Sequence, residues 1–153
     1  MAAPVIPYYT YEDYKQWDGD WELVKGIPFA MAPSPVYEHQ YVSGKIFRQL
    51  DEKLDNCDLC EVAYEVDVKF SEDTVLRPDV AVFSYKIENY PTKAPDDEKV
   101  KYYVLVYLSD KKAKLYKLNG LKYEKVGDFS DEKFMFETKC KIEFDFSKIW
   151  RNK

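Results

Sequence analysis

The amino-acid sequence predicts one α+β domain spanning residues 1–153, and three stretches carry the prediction. Residues 36–54 repeat apolar side chains at helical spacing, which predicts one long amphipathic helix. Residues 61–70 alternate apolar and polar side chains, which is the period of a half-buried strand. Residues 80–83 are a continuous apolar run, which predicts a strand covered on both faces, with Val80 and Val82 fully buried.

The N-terminal elements come from capping and turn residues. Thr10 begins a capping-box pattern that predicts a short helix over 11–17. Residues 21–24 and 27–31 predict the two strands of a β-hairpin, and Glu22 lies on the first of them.

The remaining elements follow in order along the chain. Ser34, in a stiff Pro-Ser-Pro loop, is the predicted cap of the long helix, whose apolar stripe consists of Val42, Ile46, Phe47, Leu50 and Leu54. Polar residues at 71–74 predict a hairpin turn that joins the strand at 61–70 to the strand at 80–83. The polar run 86–99, with two prolines, predicts a loop. Further strands are predicted at 102–108, 113–118, 123–126, 134–136 and 142–144, with residues 147–150 packing Trp150 back on the sheet.

Composition and charge limit the kinds of partner. The net charge of -5 argues against duplex binding through bulk charge, although a local basic patch is compatible with it. No apolar run is long enough to span a membrane, and residues 1–7 lack the charged and apolar regions of a signal peptide. We therefore expect a cytoplasmic protein with no membrane partner.

Three cysteines are too few to predict a disulfide framework in a chain of this length. Cys57 and Cys60 form a CxxC that lies between a helix end and a strand, whereas redox CxxC motifs open a helix. A zinc site would need two further ligands, and Cys140 and His39 are the obvious candidates. We favour the interpretation of small apolar residues at a loop over a metal or redox site.

The Pro-Asp step at 78–79 is the first indication of chemistry. Pro78 can begin a strand but cannot donate a hydrogen bond inside one, so Asp79 lies at the mouth of the most apolar strand. A carboxylate there is costly unless it is paired or binds a metal. The same dipeptide is also ordinary turn chemistry.

Several landmarks occur in a characteristic order along most of the chain. They are YEDY at 11–14, WELVKG at 21–26, PSP at 33–35 with His39, RPDV at 77–80, VKYYV at 100–104, and LYKLNG at 115–120 with Tyr123. Together they resemble a large bacterial family of proposed restriction endonucleases, abundant in cyanobacteria and belonging to the PD-(D/E)XK nuclease superfamily.

The resemblance implies a restriction endonuclease-like fold, with a mixed β-sheet flanked by helices, an N-terminal β-hairpin and a C-terminal antiparallel extension. It implies that Glu22, His39 and Asp79 are the catalytic residues, and that Glu22 and Asp79 bind Mg²⁺ or Mn²⁺. Mg²⁺ takes oxygen ligands and can activate a bound water at a phosphodiester. For His39 a capped or solvent-facing role, and for Glu22 an exposed hairpin position, remain open.

The chain departs from the family after Asp79. Members follow the Pro-Asp strand with another strand that carries a Glu and a helix that carries a Lys, and this chain passes instead through a loop to Val100. Two replacements for the missing half of the site stay open, Asp97 with Lys99 and Asp67 with Lys69.

Two functions follow from these observations. The first is a metal-dependent endonuclease of the same fold that hydrolyses DNA, with an incomplete catalytic motif. The alternative is a catalytically inactive binding or regulatory module on that fold. DNA is the expected partner, and the module could act as a homodimer.

Overall fold

A computed structural model describes residues 7–31, 36–84 and 100–152. The elements in chain order are helix α1 (Tyr11–Tyr14), strands β1 (Trp21–Val24) and β2 (Ile27–Ala30), helix α2 (Tyr37–Leu54), strands β3 (Glu61–Tyr64), β4 (Val68–Ser71), β5 (Thr74–Leu76), β6 (Val80–Phe83), β7 (Tyr102–Tyr107), β8 (Lys112–Asn119), β9 (Lys122–Phe129), β10 (Lys133–Glu137) and β11 (Lys141–Asp145), and a 3₁₀ turn (Phe146–Lys148). The predicted α+β class, the N-terminal hairpin and the antiparallel C-terminal extension are confirmed.

The strands form four sheets. β2, β1, β5 and β4 make one sheet in that order, β3 pairs with β6, β7–β8–β9 form a meander, and β10 pairs with β11. In the part of the chain that the structure describes, each of these pairings is antiparallel.

Helix α2 packs with its apolar stripe against the β3–β6 pair and the C-terminal strands. Val42 is buried with Leu115 of β8 and Phe144 of β11 in the largest core cluster, and Ile46 and Leu50 pack against the same cluster. This helix therefore joins the Pro-Asp region to the C-terminal strands. Its predicted cap at Ser34 and the predicted loop at 86–99 lie outside the described residues.

The prediction of one strand over 61–70 is wrong. The chain breaks after Tyr64 because Glu65 adopts a left-handed backbone conformation, with φ at 53°, in which strand pairing cannot continue. The turn at 71–74 forms as predicted, but it joins β4 to β5 instead of to the strand at 80–83. Residues 74–76 can pair at once with 68–71, whereas Pro78 delays the next strand.

The burial of β6 also differs from the prediction. Val80 and Val82 are only half-buried, and within this strand Phe83 is the buried residue. β6 pairs with β3 alone among the described strands, so its other edge has no partner strand there. A run of apolar residues therefore indicated a strand correctly and its burial incorrectly.

The interpretation of the CxxC cysteines is wrong for Cys57 and confirmed for Cys60. Cys57, just after α2, forms a disulfide with Cys140 between β10 and β11, so the interpretation of Cys57 as a small apolar residue at a loop is wrong. Cys60 is a buried free thiol in the same core cluster, as that interpretation predicts. The disulfide links two segments that are 83 residues apart.

Candidate functional site

The Pro-Asp turn lies between β5 and β6, and Arg77 holds it in place. The Arg77 backbone N–H donates to Oε2 of Glu22 on β1 at 2.8 Å. Its guanidinium contacts Asp67 Oδ1 at 2.8 Å through Nε and Asp20 Oδ1 at 2.7 Å through the terminal nitrogen. Three carboxylates, two at the start of β1 and one between β3 and β4, therefore fix the residue that precedes Pro78 and Asp79.

Asp67 is committed to this network. Its second oxygen accepts a hydrogen bond from the Tyr14 hydroxyl at 2.6 Å, and its side chain is 10% exposed. Burial and this carboxylate raise the pKa of Tyr14 above its ordinary value. The hydrogen bond with Asp67 likewise raises the pKa of Arg77, so the guanidinium stays charged.

The two proposed replacements for the missing half-site differ in outcome. Asp67 is engaged with Arg77 and Tyr14, while Lys69 pairs with Glu72 at 2.8 Å. The structure therefore gives both members of that pair other partners. Asp97 and Lys99 lie outside the described residues.

Asp79 and His39 meet across the site. His39 lies in the first turn of α2, and its Nε2 is 3.2 Å from Oδ2 of Asp79. Its Nδ1 is 3.1 Å from Oε1 of Gln40. Both of these oxygens are acceptors, and a neutral imidazole donates from only one nitrogen, so it can donate to only one of them at a time. The structure thus brings together two of the three residues that the sequence singled out.

A cleft of about 280 Å³ adjoins Asp79. It is lined by Gln40, Ser43, Gly44 and Phe47 of α2, by Tyr64 and Glu65 at the end of β3, and by Asp79. The rings of Phe47 and Tyr64 pack edge to face with their centroids 5.3 Å apart, which forms one wall. At Gly44 an added methyl group would meet no atom within 4 Å, so this side of the cleft is open space.

Sequence reasoning missed Glu65 as a member of this cleft. Its backbone N–H donates to the Asp79 carbonyl at 3.1 Å, and Glu65 lines the same cleft as Asp79. The signal in the sequence was weak, since Glu65 occupies an ordinary polar position in an alternating stretch. The turn that exposes it is visible only in the left-handed backbone of the folded chain.

Glu22 contacts the Pro-Asp turn through Arg77. One of its oxygens accepts the Arg77 N–H, two residues before Asp79. Across residues 7–31, 36–84 and 100–152, no group of three or more His, Cys, Asp or Glu side chains is arranged to hold a metal ion. In the same ranges no helix is long and apolar enough to cross a membrane.

Comparison with known proteins places this geometry in a family. Residues 10–99 match the family described as "Uma2: Putative restriction endonuclease". The structure resembles the crystal structure of a putative nuclease belonging to DUF820 from Anabaena variabilis, with a TM-score of 0.69, at 11% sequence identity, over 92% of this chain and 97% of that one. No curated protein matches the sequence. Because the family match covers more than half of the 153 residues, the chain belongs to the Uma2 family.

Proposed function

We propose that this chain is a nuclease-like protein that binds a divalent cation and DNA phosphate at Asp79 and hydrolyses DNA slowly or not at all. The contact between His39 Nε2 and Asp79 Oδ2 at the mouth of the cleft carries the proposal. It places an oxygen ligand directly beside an imidazole.

The donors at the cleft fit Mg²⁺ or Mn²⁺. Mg²⁺ is commonly bound by one or two carboxylates together with substrate phosphates and waters, and Asp79 and Glu65 supply two carboxylates to one space. Glu22 stays a predicted ligand, but one of its oxygens accepts the Arg77 N–H, and within the described residues it does not form a three-carboxylate group with Asp79 and Glu65. When bound, the cation would supply Lewis-acid stabilisation and an acidified water at the phosphodiester.

The protein's own groups have separate tasks. His39, which contacts Asp79, is placed to accept or donate a proton beside the cleft. The Arg77 network positions the turn that carries Asp79. Gln40 and Ser43 offer hydrogen-bonding groups on the helix side of the same cleft.

Charge stabilisation is the weak part of this site. The described residues that line the cleft include no Lys or Arg, while the family usually brings a lysine there. Losing one electrostatic donor at a transition state typically costs 10²–10³ in rate, so we expect at least roughly this deficit. This observation favours the second candidate, a catalytically inactive binding or regulatory module.

Cleavage assays distinguish the two functions. Plasmid and single-stranded DNA are incubated with Mg²⁺ or Mn²⁺ at low salt, with wild type beside Asp79→Ala and a control, Asp51→Ala, which removes an exposed carboxylate elsewhere on α2. Slow cleavage lost only in Asp79→Ala supports the nuclease. Absence of cleavage with retained Mn²⁺ binding supports the inactive module. Cleavage that survives Asp79→Ala contradicts the site assignment.

Cation binding is tested separately by Mn²⁺ titration calorimetry. Glu22→Gln keeps an acceptor for the Arg77 N–H and removes the charge, and Glu65→Gln removes the charge at the cleft. A loss of Mn²⁺ affinity in Glu65→Gln is expected. A loss in Glu22→Gln as well would identify Glu22 as a ligand, and unchanged affinity in both would refute the two-carboxylate proposal.

A further inference from the structure

The outer face of the β7–β8–β9 meander carries exposed aromatic side chains. Along β7, alternate residues point away from the core, and Tyr103, Leu105 and Tyr107 are each at least 37% exposed. Their neighbours Val104 and Val106 pack against the core cluster instead. Since side chains on a strand alternate between faces, the three exposed residues share one face of the sheet.

The register extends this face across the other two strands. Tyr103 pairs with Tyr116 on β8, which in turn pairs with Lys125 on β9. The rings of Tyr103 and Tyr116 stack with centroids 4.7 Å apart, and Tyr123 meets Tyr103 edge to face at 4.8 Å. Three tyrosines from three strands therefore form one aromatic platform.

Lysines surround the platform. Leu105 pairs with Lys114 and Tyr107 with Lys112, so both lysines lie on the same face as the tyrosines. Lys114 Nζ lies 5.0 Å from the centroid of the Tyr107 ring. We call this surface the tyrosine–lysine face, defined by Tyr103, Leu105, Tyr107, Lys112, Lys114, Tyr116, Tyr123 and Lys125.

Positive charge is concentrated in the C-terminal part of the sequence, which contains this face. Residues 100–152 contain 12 Lys and Arg against 8 Asp and Glu, whereas residues 7–84 contain 7 against 16. On the face itself, Asp128 pairs with Lys125 at 2.8 Å, and Lys112 and Lys114 leave a positive balance. The C-terminal part of this acidic chain therefore has a positive balance, to which the face contributes Lys112 and Lys114.

We propose that the tyrosine–lysine face binds single-stranded DNA. Aromatic rings beside lysines suit an unpaired strand, because its bases can stack on the rings while its phosphates contact the ammonium groups. From Tyr103 to Tyr107 the strand spans about 13 Å, enough for a few nucleotides. A second copy of the chain fits this face less well, since two positive faces would repel each other. The choice of DNA over RNA rests on the proposed function.

Binding is measured by fluorescence anisotropy with a labelled 15-nucleotide oligo(dT) at low salt in EDTA, which separates it from cleavage. The variant Lys112→Glu/Lys114→Glu is compared with Lys139→Glu/Lys148→Glu, a matched change at exposed lysines elsewhere in the C-terminal half. We expect at least a tenfold loss of affinity in the first and a clearly smaller loss in the second. The wild-type log affinity should fall with log salt at a slope of roughly -1.4 to -2.1, from two or three phosphate contacts.

Stacking is tested at Tyr103. Tyr103→Ala should weaken binding roughly five- to hundredfold, and Tyr103→Phe should retain it because the ring is kept. Thermal melting of each variant identifies loss of fold, and if Tyr103→Ala fails to fold, the lysine variants and Tyr103→Phe decide the question.

Three results would overturn the proposal. They are equal binding by the two lysine variants, tighter binding of oligo(rU) than of oligo(dT), and self-association of the wild type that the Lys112→Glu/Lys114→Glu change abolishes. Asp51→Ala, the control variant of the cleavage assay, should bind oligo(dT) as the wild type does. Loss of Mn²⁺ binding with intact oligo(dT) binding counts against the proposed function alone, and failed oligo(dT) binding with intact Mn²⁺ binding counts against this face alone.

Discussion

Removal of the Cys57–Cys140 disulfide should cost a large part of the stability of the protein. The bridge closes a loop between residues 83 positions apart. The chain-entropy relation gives about 4.5 kcal/mol for a loop of this length, and measured effects are usually smaller, so we expect a loss of about 2–4 kcal/mol. For a chain of this size, that loss lowers the melting temperature by about 4–16 °C.

The measurement is urea unfolding of the double variant Cys57→Ala/Cys140→Ala beside the oxidised wild type. Cys60→Ala is the matched control, because Cys60 is nearly as buried as Cys140, at 5% against 3% exposure, and forms no disulfide. The control reports the cost of losing a buried sulfur atom, which we expect to stay within about 1 kcal/mol. The excess loss in the double variant is then the contribution of the cross-link.

Two results would refute this reasoning. One is three titratable thiols in oxidised, denatured protein, where the structure requires one, that of Cys60. The other is an identical unfolding midpoint of the wild type with and without reductant. Disulfides persist in oxidising compartments, so the thiol count in freshly lysed cells also tests our prediction of a cytoplasmic location.

Two further predictions concern stability. Val82→Ala should lower the free energy of unfolding by about 0.5–1.5 kcal/mol, less than a fully buried valine would, because Val82 is half-buried; a loss above 3 kcal/mol in urea unfolding would contradict its position. Hydrogen bonds from Ser147, first from its hydroxyl, hold the pKa of Asp145 below its usual value. A lowered folded pKa contributes stability above the unfolded pKa near 3.9, and this contribution is lost as pH falls through the folded pKa. Urea midpoints should therefore drop below about pH 4, and Asp145→Asn should flatten the drop; an equal drop in that variant would assign it to other carboxylates.

Local patterns predicted elements well because their causes are local. The stripe of α2 and the alternation of β7 each depend on residues a few positions apart, and both elements form where the sequence places them. Strand partners depend on distant segments. The predicted pairing of 80–83 with the stretch 61–70 holds for residues 61–64, but the β4–β5 hairpin that lies between them along the chain was not predicted. The Cys57–Cys140 disulfide was hidden for the same reason, since its two halves meet only after α2 packs on the C-terminal strands.

The candidate site was predicted in part. The resemblance named Glu22, His39 and Asp79 as site residues, and the structure places His39 Nε2 within 3.2 Å of Asp79 Oδ2, while their catalytic roles stay a prediction. Glu65 escaped because its role arises from one left-handed residue at a strand end. The role of Arg77 also escaped prediction, because its partners Asp67 and Asp20 come from segments far apart in sequence.

The clamp on Arg77 determines how a loss-of-function screen of this protein should be read. Replacing Glu22, Asp67 or Asp20 by alanine loosens the turn that carries Asp79, even where the replaced carboxylate touches no substrate. An alanine screen scored by activity alone would therefore not separate carboxylates that position the turn from the carboxylate that binds substrate, and it would overestimate the number of catalytic residues. Isosteric amides preserve an acceptor for Arg77 while deleting the charge. A position that tolerates Asn or Gln but loses activity with Ala holds a residue that positions the turn. The comparison therefore separates structural from catalytic carboxylates without a bound ligand.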